Sequence, residues 1–164
     1  MLNVGSVWWQ VEAFTGYQIV NGEMQVRGRF QQQLNDPEPY ATIRGVSTTP
    51  LLPGAPRLQG IADGMLSKAS CGAVRTVEPE PPHPDELPDQ VRRHLYFQGI
   101  GFTVKGMAEF PAAADPKLHR EMLFKSRFFP VVEASLSVIG VEAPAITWQL
   151  AYVNRDLVVG IYLA

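Results

Sequence analysis

The sequence predicts a mainly β fold: an antiparallel curved sheet or small β-barrel, calycin-like or split-barrel-like, with one short helix. Three observations carry this expectation. Long stretches alternate apolar and polar residues with the period of two that a half-buried strand requires. Glycines recur inside those stretches, at Gly28, Gly45, Gly60, Gly99, Gly101, Gly106, Gly140 and Gly160, where bulges or sharp bends let a sheet coil. Only one segment carries the start signals of a helix.

The elements follow in order. Tyr17 and Ile19, then Met24, Val26, Gly28 and Phe30, alternate with polar residues on both sides of Asn21-Gly22. Those two residues tolerate the positive φ of a type I′ turn, so a hairpin is expected there. Further strands are expected near residues 40–48, 57–62, 65–68, 73–77, 95–110 and 131–141, with Asp63-Gly64 offering another tight turn. Asp115 suits a helix cap and Pro116 the first helical position, with Leu118, Met122 and Leu123 on one face. A second hairpin is expected around Asn154-Arg155-Asp156, its returning run apolar enough for a strand covered on both sides.

The 164 residues fit a single β domain over 1–164, with a proline-rich acidic loop at 78–90 that could instead separate two halves of the sheet. No internal repeat has a convincing period.

Composition bounds the function. A net charge of −2 provides no basic field to hold a phosphate backbone, so nucleic acid is not expected as a partner. The lone Cys71 excludes an intramolecular disulfide and is expected to be buried and inert. His83, His94 and His119 have no metal-motif spacing and read as solvated surface residues, although His94 after Arg92 and Arg93 could meet an anion. No metal site and no cofactor are expected. With no apolar run long enough to span a bilayer and no leader-like start, the expected location is cytoplasmic.

The nonapeptide from Tyr152 through Asn154-Arg155-Asp156-Leu157 to Gly160 resembles the closing hairpin of the plastid lipid-associated (fibrillin) family, a lipocalin-like barrel group that implies lipophilic ligands. The arginine which that family places after the Asp-Leu pair is absent. Val104 to Phe110, the Asp115-Pro116 helix and the strand from Val132 to Val141 are similar in rhythm to the middle of flavin-binding split barrels. The first forty residues do not fit that order, and neither resemblance carries residues across.

Aromatic residues fall throughout the expected strands: Trp8, Trp9, Phe14, Tyr17, Phe30, Tyr96, Phe102, Trp148, Tyr152 and Tyr162. In a small barrel, inward side chains fill the interior or line an apolar cavity. The leading expectation is therefore a barrel binding a small apolar molecule, with Trp9, Phe102, Trp148 and Tyr152 as lining residues. Arg27, Arg44 and Glu133 are the strand-borne charges an inward face would use. Glu133, in an otherwise apolar and small-residue strand, would gain a raised pKa if enclosed, or face solvent with Ser135 and Ser137. Two other classes stand beside binding: a cavity enzyme such as a cyclase or isomerase, and an interaction module in which copies of the chain form a homo-oligomer.

Overall fold

The structure, a computed structural model, describes residues 5–80 and 89–164. Most of the expected 78–90 loop, with His83, lies outside the described residues. The chain forms two compact units that meet in sequence at Glu80 and Pro81, within that proline-rich segment. Both are mainly β with antiparallel strands.

The first unit contains β1 (Val7–Phe14), β2 (Gln18–Val26), the short helix α1 (Phe30–Asn35), β3 (Tyr40–Pro50), β4 (Ile61–Ser67) and β5 (Ala73–Thr76). Its strand order is β5-β1-β2-β3-β4. The hairpin expected at Asn21-Gly22 is not there. Both residues lie inside β2, and the chain instead turns at Gly16, with φ +91°. Gly22 serves close approach: a Cβ there would stand 2.9 Å from the Arg44 carbonyl oxygen, so only glycine fits against β3. Asp63-Gly64 likewise lies inside β4, opposite Arg44 and Ile43. Gly28, with φ +75°, ends the alternation, and Phe30 begins a helix rather than continuing β2.

The second unit contains β6 (Gln90–Gly99), β7 (Phe102–Pro111), α2 (His119–Leu123), β8 (Phe128–Val138), β9 (Ile146–Asn154) and β10 (Val158–Leu163), ordered β10-β6-β7-β8-β9. The stretch expected as one strand over 95–110 is two, reversed at Gly101 with φ +83°. α2 follows a 3₁₀ turn, and the Asp115 carboxylate accepts the Lys117 N–H at 3.0 Å, the expected cap. The Asn154 turn forms too, but no β9–β10 hairpin results, because β9 pairs with β8 while β10 crosses to β6. β10 therefore ends the order instead of lying between strands, and Val159 and Tyr162 are 63% and 59% exposed. The closing hairpin implied by the fibrillin resemblance is absent for the same reason.

The two units repeat one plan. Each has a hairpin, a short helix, a second hairpin, a 3₁₀ turn and a last strand that returns to pair with the first. The registers agree residue by residue. Gly22 pairs with Val11 as Gly106 pairs with Leu95, and Glu12 pairs with Arg75 as Tyr96 pairs with Tyr162. Both break register at the same place, with an extra residue in β3 at Gly45 and in β8 at Glu133. Even the cation of the 3₁₀ turn is matched: Lys68 donates to the Gln33 carbonyl in α1, and Arg155 to the Phe124 carbonyl at the end of α2. The repeat that sequence comparison misses is thus one of topology and register. Within each unit the ladder stays open among the described residues, so the closed barrel does not form there.

Candidate functional site

Of the seven residues singled out from sequence, three belong to the first unit and four to the second. In the first unit, half-buried Trp9 stacks on Phe30 of α1, ring centroids 6.4 Å apart, and fastens that helix. Arg44 lies 4.0 Å over the Trp8 ring and 3.4 Å from Glu23, its partner across β2 and β3. Arg27 is exposed, and its backbone N–H donates to Gln33 Oε1 at 3.1 Å. It lines a polar groove of about 560 Å³ with Gln25, Gln32 and Asp36.

In the second unit, Phe102, Trp148 and Tyr152 are buried in packing; Phe102 lies 5.8 Å from Phe97, between ring centroids. They belong to the buried core. Glu133 is exposed, with Ser135 half-buried and Ser137 exposed. It is nonetheless the one of the four that lines the unit's apolar groove, whose volume is about 460 Å³.

That groove lies across β10, β6, β7 and β8, on the face opposite Phe97, Phe102 and Val104. A cross-strand row forms its floor: Tyr162 beside Tyr96, then Lys105, then Ser135. Tyr96 and Tyr162 sit 6.0 Å apart between centroids, and Lys105 Nζ lies 5.7 Å from the Tyr96 ring. Met107 continues the apolar wall toward Glu133, and His94 sits at the rim.

The β8 bulge shapes this wall. Glu133 has φ +52°, the one non-glycine residue with positive φ among the described residues, a conformation costing on the order of 1–3 kcal/mol. Opposite it, a Cβ on Gly106 would stand 2.5 Å from Val131 Cγ1 and 2.8 Å from the Val132 carbonyl oxygen. Glycine is therefore required where the bulge crowds β7. Glu133 and Lys105 place one carboxylate and one ammonium on an otherwise mostly apolar groove.

His119 departs from the solvated histidine expected. It is buried, stacked face to face on Phe110 at 4.0 Å, with Nδ1 3.3 Å from Arg93 Nη1. Because a guanidinium only donates, Nδ1 accepts and Nε2 carries the proton, and Nε2 has no partner among the described residues. Cys71 is buried, with Sγ 3.3 Å from the Ser67 carbonyl oxygen. No helix of the described residues is long and apolar enough to cross a membrane.

Tyr96, Lys105, Met107 and Tyr162 were missed as a group. Tyr96 and Tyr162 carried the aromatic signal, but what joins them to Lys105 is register between strands far apart in sequence. Comparison with protein-family models, curated proteins and solved structures returns no match.

Proposed function

We propose that this protein binds a small lipophilic molecule in the groove of its second unit. One observation carries the reading: a recess of about 460 Å³, mostly apolar and floored by the Tyr96–Tyr162 pair, holds only a few polar groups able to orient a ligand. Small-molecule sites commonly have that size and that balance. Lys105 and Glu133 would fix the ligand's polar end, while Met107 and the tyrosines cover its body. The lipophilic ligand expected from sequence is retained, but its place moves from a barrel interior to the open face of a sheet.

Native mass spectra beside denatured spectra test this directly, together with titration by a lipophilic fluorescent probe. The expected result is an excess mass lost on denaturation, or saturable probe binding, that Met107→Glu and Tyr162→Glu both abolish. An apo protein that binds no probe, or variants that bind as well as the parent, would overturn the reading.

Assembly is a second reading, favoured by β10. Its six residues carry no charge or proline, and it ends the strand order with Val159 and Tyr162 exposed, a composition that invites pairing with a second copy. A ligand-free oligomer dispersed by Val159→Lys would support assembly over ligand binding.

A further inference from the structure

We infer that the second unit carries a separate anion site, fitted to a phosphate group, where β6 and β10 meet the segment leading into α2. Arg93, Lys117 and Arg120 line a recess of about 300 Å³ whose remaining wall is Pro116, Ile161, Tyr162 and Leu163. No carboxylate lines it, and none of the three cations makes an ion pair among the described residues. Glu121 follows Arg120 directly but does not line the recess, and Asp115, two residues before Lys117, accepts the Lys117 N–H at its Oδ1.

The repeated plan shows what this recess replaces. By register, Arg93 occupies in β6 the place of Trp9 in β1, since Trp9 pairs with Met24 as Arg93 pairs with Ala108. In the first unit that place is sealed by Trp9 stacked on Phe30. In the second, Arg93 Nη1 meets only neutral acceptors, the Pro116 carbonyl at 3.5 Å and His119 Nδ1 at 3.3 Å. These contacts hold the guanidinium in position without neutralising it. Two guanidiniums and an ammonium around one recess suit a phosphate dianion, whose oxygens accept paired N–H donors from arginine. The apolar wall at Ile161 and Leu163 leaves room for a small organic group on the ester oxygen. The two sites share Tyr162 and Leu163 as wall, but Arg93, Lys117 and Arg120 line only this one and Lys105, Met107 and Glu133 only the lipophilic groove, so variants of those residues let either reading fail alone.

Calorimetric titration of the full chain with inorganic phosphate and with phenyl phosphate, against sodium chloride at matched ionic strength, tests the site. Lys117→Glu with Arg120→Glu changes two exposed residues and should leave the fold intact, which circular dichroism and probe binding to the groove would verify. The expected result is saturable phosphate binding weakened about tenfold or more in this double variant and in Arg93→Gln, as loss of charge-assisted contacts requires. Tighter binding of phenyl phosphate would assign an organic phosphate ester, and equal binding would assign the free ion. Absence of binding at millimolar phosphate, heat that chloride reproduces, or affinity unchanged in the folded double variant would overturn the site.

Discussion

The two units share a plan and differ in how they settle charge. On β5, β1, β2 and β3, the first unit sets a row of Arg75, Glu12, Asn21 and Ser47; the second sets Tyr162, Tyr96, Lys105 and Ser135 in the same registers. Arg75 clasps Glu12 through two N–H donors, at 2.9 and 3.3 Å, and Glu23 meets Arg44. In the first unit, these polar side chains satisfy one another. The second unit replaces the clasp by two tyrosines and leaves Arg93, Lys117 and Arg120 without carboxylate partners. At matching positions the same scaffold carries an ion pair in one unit and a tyrosine pair in the other. That contrast is why the proposed ligand groove and the proposed anion site are both sought in the second unit.

The largest effect that would sharpen this comparison concerns the first unit's internal pairing. Lys68 is buried, with Nζ 2.7 Å from the Gln33 carbonyl oxygen and 2.5 Å from Asp36 Oδ1. Removing the carboxylate takes the Asp36 counter-charge from a buried ammonium, so Asp36→Ala should cost about 3 kcal/mol in chemical denaturation. Lys68→Met, which removes the charge together with its need for a partner, should cost clearly less. Equal losses would mean that the pair is no more than packing.

A smaller effect tests whether the two bulges are equivalent devices. Gly22→Ala would press a methyl to 2.9 Å from the Arg44 carbonyl oxygen, and Gly106→Ala to 2.8 Å from that of Val132. Both should destabilise by roughly 1–3 kcal/mol, the usual range for overpacking. Only Gly106→Ala should also weaken probe binding, because only it displaces the wall that carries Glu133. An innocuous Gly106→Ala would break the equivalence.

Much of the fold was legible in the chain, and the failures share one cause. Alternation located β3 and β5 closely, and Asp115-Pro116 marked the start of the helical segment, because those signals are local. Asn21-Gly22 misled because a glycine demanded by a neighbouring strand looks the same in sequence as one demanded by a turn. The apolar run of β10 suggested a covered strand, although its place at the end of the order follows from pairing with β6. Of the candidate site, Glu133 was singled out for its chemistry. Its companions Tyr96, Lys105 and Tyr162 meet through cross-strand register, which no local pattern encodes. The internal repeat escaped for the same reason: Gly22 and Gly106 match in kind, but Glu12 and Arg75 face Tyr96 and Tyr162 as their counterparts.

The smallest effect addresses the single position where the two bulges differ in strain. Gly45 and Glu133 are the extra residues of β3 and β8, with φ of +59° and +52°. Glycine adopts that conformation without the Cβ clash that glutamate incurs. Glu133→Gly should therefore stabilise the protein by about 1 kcal/mol, whereas Gly45→Glu should destabilise it by a similar amount. If Glu133 orients the ligand's polar end, the stabilised Glu133→Gly protein should bind its ligand more weakly than the parent. Stability and binding would then move in opposite directions at one residue, as expected where strain is retained for function. A variant that is more stable and binds equally well would remove Glu133 from the site while leaving the groove in place.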